Sequence, residues 1–216
     1  MQYMVNVGQG VNVFVNDINP SGSKPIIFLH GWPASNELFE YQYNQLPQMD
    51  FRCIGIDTRG FGKSDKPWDG YQYDRLADDI FYVIKALKLN NVVLLGHSTS
   101  GAVAIRYMAR YRGFGVSKLV LCAAAAPALV SSPQLPKGQS IDVVNNIIDG
   151  AYHDRPAMLR GFGSIFFHQA VSGPLSDWLF SMGLSAASWA TIAIAKDWLV
   201  EELFDDMSQI YVPTLI

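Results

Sequence analysis

At the start of the chain, apolar and polar positions alternate. Residues 1–7 and 11–17 show this alternation on either side of Gly8-Gln9-Gly10, which predicts two strands joined as a β-hairpin. After a polar, breaker-rich loop at 19–23, the alternation gives way to continuous apolar runs, as expected of strands buried on both faces of a sheet. These runs are PIIFLHG (25–31), FRCIGID (51–57), NVVLLG (91–96) and KLVLCAA (118–124).

Between these runs, the spacing of apolar residues changes to that of helices. Residues 73–89 form an amphipathic pattern, and residues 100–111 are apolar over most of a helical circumference. The segment 36–46 is also predicted to be helical. Strands that alternate with helices indicate the α/β class, with a mostly parallel sheet and helices on both faces.

The alternation of strands and helices stops after Ala126. Residues 1–126 form the predicted α/β core, whereas residues 127–210 contain helical and loop patterns and no clear strand. Residues 211–216 include the apolar run VPTLI, which predicts the start of a further core strand beside Leu119–Leu121.

Composition and charge narrow the class of protein. Half of the residues are hydrophobic, 16% are charged, and the net charge is −3, which gives no basic surface for nucleic acid or for an acidic membrane. Cys53 and Cys122 lie far apart in apolar runs, so we expect two buried thiols. No secretory signal is visible, and the longest apolar run is too short to span a bilayer. We therefore expect a cytoplasmic protein that binds neither nucleic acid nor membrane.

The stretch GHSTSG (96–101) carries the candidate chemistry. It places Ser98 at a tight turn between a buried strand and a helix, at the carboxyl end of the strand, where α/β proteins form their sites. Gly-x-Ser-x-Gly is the usual pattern of a nucleophile elbow, and here Ser100 replaces the last glycine, so we expect some strain.

Four motifs in order resemble the α/β-hydrolase superfamily, and most closely its cofactor-free haloperoxidases and small esterases. They are FLHGWPAS (28–35), GIDTRGFGKSDKP (55–67), LLGHSTSG (94–101) and VPTLI (212–216). The resemblance implies that Ser98 is the nucleophile and that the backbone amides of Thr99 and Trp32 form an oxyanion hole. It also implies that residues 127–210 are a helical cap. The cap aromatics are candidates to line an acyl or alcohol pocket: Phe162, Phe166, Phe167, Trp178, Trp189 and Trp198.

The residues that would activate Ser98 are not evident. In this superfamily the acid follows the strand that VPTLI begins, and the histidine comes later still, so we expect both to lie beyond Ile216. His97 is predicted to diverge from Ser98, His30 to make a structural hydrogen bond, and His153 and His168 to lie at the surface or in packing. The interpretation is a truncated hydrolase, inactive or impaired as given, in which a second chain or a further copy covers the C-terminal edge.

Two functions remain open at this point. The first is a serine hydrolase that acts on small carboxylic esters through an acyl-enzyme, with perhydrolase or haloperoxidase side activity. The alternative is a non-catalytic ligand-binding or signalling protein on the same fold. No metal is expected, since there are no paired cysteines and no His-x-x-x-His spacing. No organic cofactor is expected either, because Gly60-Phe61-Gly62 lacks the third glycine and the helix start of a dinucleotide loop, and Asp57, Arg59 and Asp65 fit a structured turn.

Overall fold

Seven strands form one mixed sheet in the computed structural model, which describes residues 1–216. The strands are β1 (Gln2–Asn6), β2 (Asn12–Ile18), β3 (Lys24–Leu29), β4 (Phe51–Ile56), β5 (Val92–His97), β6 (Val116–Cys122) and β7 (Thr214–Leu215). Their spatial order is β1-β2-β4-β3-β5-β6-β7. The β1–β2 and β2–β4 pairings are antiparallel, and the other four pairings are parallel. The predicted α/β class and mostly parallel sheet are confirmed.

Eight α-helices complete the chain. They are α1 (Glu40–Tyr43), α2 (Tyr73–Ala86), α3 (Thr99–Arg110), α4 (Ile141–His153), α5 (Arg155–Phe166), α6 (Gly173–Ser185), α7 (Ser188–Asp197) and α8 (Phe204–Met207). The predicted helices at 73–89 and 100–111 correspond to α2 and α3. The continuous helix predicted over 36–46 is wrong, because this segment breaks into α1 and two short 3₁₀ turns, Asn36–Phe39 and Leu46–Met49. Only Asn36 and Phe39 are buried there, so no continuous apolar stripe holds a longer helix together.

The main core lies between one face of the sheet and α2 and α3. It holds 39 buried residues, among them Ile27, Leu94 and Leu119 from the strands. A smaller cluster of Ile26, Phe28, Phe39 and Cys53 covers part of the opposite face. Helices therefore pack on both faces, as the strand–helix alternation predicts.

The helical segment that follows β6 shares this core. Val144 of α4 and Ile194 of α7 belong to the same buried cluster as the sheet residues, and the Ala187 amide donates to the Gly60 carbonyl at 2.8 Å. Between β6 and β7, the only strand-like pairs are two isolated bridges, Val130–Gln139 and Ser132–Leu135. The segment is thus bound directly to the loops at the ends of the strands.

Other expectations about the chain can now be compared with the structure. Thr214 and Leu215 pair in parallel with Leu119 and Val120, which confirms the predicted position of the VPTLI strand. Both cysteines are free, with Cys53 buried and Cys122 only half-buried. No single helix is long and apolar enough to cross a bilayer. The pair α6 and α7 meets the length and composition test only when joined across a 93° bend.

Candidate active site

Ser98 occupies a sharp backbone turn between β5 and α3. Its φ of 53° and ψ of −122° lie in a region that non-glycine residues rarely adopt, at a cost of about 1–3 kcal/mol. Four backbone hydrogen bonds hold the turn. The Ser98 amide donates to Cys122 O at 2.9 Å, and the Ser98 carbonyl accepts from the amides of Gly101 at 2.9 Å, Ala125 at 3.0 Å and Ala102 at 3.4 Å. The surrounding backbone therefore maintains the strained conformation that the elbow pattern predicts.

The neighbours of Ser98 are small because the backbone is crowded. A β-carbon on Gly96 would lie 2.5 Å from the Ser100 carbonyl oxygen, and one on Gly101 would lie 2.6 Å from the Ala124 β-carbon. Ser100 itself is buried, is helical, and donates its hydroxyl to the His30 carbonyl. The strained backbone is therefore that of Ser98 and not that of Ser100. The Ser100 side chain links the elbow to the loop that follows β3.

That loop, residues 30–33, carries the Trp32 amide that the sequence predicts to bind an oxyanion, and we name it the oxyanion loop for that prediction. It approaches the elbow closely, because a β-carbon on Gly31 would lie 2.9 Å from the Ser98 β-carbon. The Trp32 amide takes part in no hydrogen bond within the chain. The Thr99 amide opens α3 and so has no acceptor inside the helix. Both amides are available to an external acceptor, at a helix end whose dipole favours negative charge.

Two indole N–H groups connect these residues to α7. Trp198 Nε1 donates to Thr99 Oγ1 at 3.1 Å, and Trp32 Nε1 donates to the Thr191 carbonyl at 3.1 Å. The two indole rings pack edge to face, with centroids 4.9 Å apart, and Phe162 packs on the Trp32 ring at the same centroid distance. Trp32, Thr99 and Trp198 are all buried.

Ser98 opens into a cavity of about 170 Å³. Its wall contains no charged side chain, and its lining residues are Trp32, Ser98, Thr99, Ala125, Leu129, Gln139, Val143, Val144, Ile147, Phe162, Ile165 and Trp198. Most of this wall comes from α4, α5 and the loop before α4. The cavity can therefore enclose a small neutral group beside the Ser98 hydroxyl.

Only two of the six cap aromatics proposed from the sequence line this cavity, Phe162 and Trp198. Phe166 packs against the His97 ring, and Phe167 packs against Phe166. Trp178 packs against a small cluster around Leu179 and Met182. Trp189 lines a separate surface groove with Trp68. The interpretation of these four as residues of the pocket beside Ser98 is wrong, because each packs against other groups and none lines that cavity.

The two histidines nearest the elbow are structural and neutral. His30 Nε2 accepts from the Thr58 amide at 3.1 Å, which confirms the predicted structural hydrogen bond, and burial lowers the pKa of His30. The His97 ring lies edge-on to Phe166, and its Nδ1 is buried without a partner. Burial, with a smaller effect of nearby His30, lowers the pKa of His97 to about 4. His97 is therefore uncharged at neutral pH.

The remaining two histidines, and the carboxylate of Asp57, make contacts away from the Ser98 hydroxyl. His153 and His168 are exposed, and His153 Nδ1 lies 2.8 Å from the Asp149 carbonyl oxygen. Asp57 accepts from the amides of Asn36 at 2.7 Å and Lys63 at 2.8 Å. None of these contacts involves the Ser98 hydroxyl.

The predicted structured turn after β4 is confirmed by further contacts. Arg59 forms a two-point ion pair with Asp79 of α2, at 2.6 and 2.7 Å, and Asp65 accepts from the Asn12 amide at 2.7 Å. No group of three or more histidine, cysteine, aspartate or glutamate side chains is arranged to hold a metal ion.

Sequence reasoning missed Gln139, Thr191 and the indole bond of Trp198. Residues 99 and 198 are 99 positions apart in the chain, and no local pattern marks their contact. Gln139 comes from a loop whose path depends on the bridge between Val130 and Gln139.

Comparison with known proteins agrees with this geometry. The model of the alpha/beta hydrolase fold family matches residues 24–162. The AB hydrolase superfamily protein YisY of Bacillus subtilis is 44% identical over 216 residues, covering 100% of this chain and 80% of that protein. The non-heme chloroperoxidase of Streptomyces lividans is 31% identical, covering 98% of this chain and 79% of that protein. The solved structure of the esterase EaEST from Exiguobacterium antarcticum has a TM-score of 0.96 at 42% identity, over 99% of this chain and 79% of its own.

Proposed function

The chain belongs to the α/β-hydrolase family, and on that premise we propose that it is a serine hydrolase of small carboxylic esters. The observation that carries the proposal is the juxtaposition at the elbow. Ser98 is held at positive φ, it borders an apolar cavity, and the amides of Trp32 and Thr99 beside it are not used by the fold. A nucleophile next to two available amide donors is the arrangement that acyl transfer requires.

In the proposed reaction, Ser98 Oγ attacks the ester carbonyl carbon and transfers its proton to a base. The carbonyl oxygen becomes an oxyanion that accepts from the Trp32 and Thr99 amides. Collapse of this intermediate breaks the bond to the alkoxy group, which leaves as an alcohol after protonation. Water then attacks the acyl-enzyme, releases the carboxylic acid and restores Ser98.

The cavity supports a preference for small, neutral acyl groups. Its volume of about 170 Å³ suits a short chain or a single ring, and an ionised acyl group would meet no counter-charge in the wall. Hydrogen peroxide in place of water would release a peracid from the same acyl-enzyme, and a peracid oxidises halide ions. The similarity to a non-heme chloroperoxidase supports this side activity.

The rate of ester hydrolysis depends on a base that removes the proton from the Ser98 hydroxyl. None of the histidines contacts its hydroxyl, so we expect a polypeptide of residues 1–216 by itself to hydrolyse esters slowly. This observation also favours the alternative, a ligand-binding protein on the same fold with little turnover.

A fluorophosphonate probe and 4-nitrophenyl acetate separate these functions. We expect labelling and hydrolysis in the wild type, and only background levels of both in Ser98→Ala, with matching circular dichroism spectra. Peracid formed in hydrogen peroxide should also disappear in Ser98→Ala. Labelling or turnover that persists in Ser98→Ala would refute the hydrolase proposal. A folded wild type that neither labels nor hydrolyses would favour the ligand-binding alternative.

A further inference from the structure

We infer that Trp198 is a positioning residue for the oxyanion hole and that α7 holds both of its amide donors in place. This inference rests on the proposed hydrolase function and deepens it. Trp198 contacts neither amide directly. It acts through the side chain of Thr99, the residue that follows the nucleophile.

The first connection runs from Trp198 to Thr99. Trp198 Nε1 donates to Thr99 Oγ1 at 3.1 Å, and both side chains are buried. A buried indole N–H needs an acceptor, and the only acceptor it has here is the threonine hydroxyl at the first position of α3. The bond therefore restrains the first turn of α3, which carries the Thr99 amide.

The second connection runs from Trp32 to Thr191. Trp32 Nε1 donates to the Thr191 carbonyl at 3.1 Å. The Thr191 side chain is fully buried, and its hydroxyl donates to the carbonyl of Ala187, the residue that precedes α7, at 2.9 Å. The oxyanion loop is thus attached to the middle of the same helix whose C-terminal end carries Trp198. Because the rings of Trp32 and Trp198 also pack edge to face at 4.9 Å, a displacement of α7 would move both donors together.

If the indole hydrogen bonds position the two amide donors, their loss should affect the chemical step, whereas loss of simple packing contacts should affect substrate binding. Preorganised donors matter most when negative charge develops, so loosening them should slow the chemical step more than substrate binding. Loss of the indole bond should therefore reduce kcat and weaken transition-state analogues, with little change in KM. A residue that serves only as a cavity wall should change KM instead.

Trp198→Phe is the test variant, because it removes the N–H and keeps an aromatic ring. Trp189→Phe is the matched control on the same helix, since it also deletes an indole N–H bond, to Pro67 O at 2.7 Å, on the face that lines the separate surface groove. We expect kcat for 4-nitrophenyl acetate to fall about 10-fold in Trp198→Phe, with KM within about 2-fold of wild type. The Ki of a trifluoromethyl ketone, which forms an oxyanion adduct with serine, should rise by the same factor. Trp189→Phe should match wild type in all three.

A double-mutant cycle with Thr99→Val completes the test. Thr99→Val removes the acceptor, so it should reproduce the kcat loss, and the double variant should lose no more than either single variant. If Trp198→Phe does not fold in thermal melts, the Thr99→Val variant alone carries the test, through the same readouts of kcat, KM and Ki. Additive losses, a kcat within about 2-fold of wild type in Trp198→Phe, or a rise in KM alone would overturn the positioning role. A wild type without Ser98-dependent turnover would instead refute the proposed function itself, and the positioning role with it.

Discussion

Replacing Gly31 with alanine tests how closely the oxyanion loop must approach the nucleophile. The new β-carbon would lie 2.9 Å from the Ser98 β-carbon, about 0.5 Å short of the 3.4 Å at which ordinary contact begins. It would also lie 2.6 Å from His97 Nδ1 and 3.1 Å from the His97 carbonyl oxygen. The His97 ring can turn aside, but the other two atoms belong to the strained elbow. We therefore expect the loop and the elbow to separate by several tenths of an ångström.

This separation should reduce activity more than stability. A misplacement approaching 1 Å lowers the rate by about 100-fold, so we expect a loss of roughly 10- to 100-fold in kcat for 4-nitrophenyl acetate. Overpacking in a well-packed region costs about 1–3 kcal/mol, which urea unfolding can measure.

The matched control is Gly161→Ala in α5, where an added β-carbon meets nothing within 4 Å. It should leave kcat unchanged and stabilise the helix by about 0.5–1 kcal/mol. A folded Gly31→Ala protein with full Ser98-dependent activity would refute the reasoning, because the close approach would then be dispensable.

Two further predictions concern stability. Asp79→Asn should lower the free energy of unfolding by about 3–5 kcal/mol, because the Arg59 guanidinium, 1% exposed, would lose its charged partner. The control is the same change at the exposed Asp177, which should cost less than about 1 kcal/mol. Equal losses for the two variants in urea titrations would contradict this prediction. Asp197→Asn should change stability in a pH-dependent way. Burial, with a smaller effect of Glu201, raises the pKa of Asp197 to about 6, and Asp197 Oδ2 accepts no hydrogen bond, so the ionised carboxylate destabilises the fold above that pH. The variant should be more stable than wild type by about 1 kcal/mol at pH 8. This figure is smaller than the full pKa shift would give, because Asp197 is only half-buried and solvent screens its charge. The advantage should disappear near pH 4, where the carboxyl is protonated in the folded state, and an equal gain at both pH values would argue against ionisation as the cause.

The central strands could be predicted because their physical cause is local. A parallel strand that is buried on both faces needs an uninterrupted apolar run, and β3, β4 and β5 lie where such runs occur. The sharp turn at Ser98 was predictable for a similar reason, since a tight elbow demands small residues at fixed offsets from its central residue. The segment 36–46 was not, because its polar composition leaves the backbone to be shaped by distant partners such as Asp57.

The walls of the site depend on contacts that sequence spacing does not encode. Trp189 lies in the first turn of α7 and Trp198 directly follows its last residue, yet Trp189 borders a surface groove and Trp198 bonds Thr99. Which of them meets Ser98 depends on how α7 is rotated against the sheet. That rotation is set by tertiary packing, and the pattern of apolar residues in a helix that is buried over much of its surface does not report it.

The hydrogen bonds that join both indoles to α7 and to its C-terminal end divide the lining of the cavity into two sets of residues, those that hold the proposed oxyanion donors and those that only shape the space for the acyl group. Residues on α4 and α5, such as Val143, Ile147 and Ile165, border the space next to Ser98 but make none of the indole hydrogen bonds. Libraries that seek a new acyl preference should therefore diversify these three positions and keep α7 constant. Exchanging the whole helical region between relatives would alter selectivity and turnover at once, and the two effects would be difficult to disentangle.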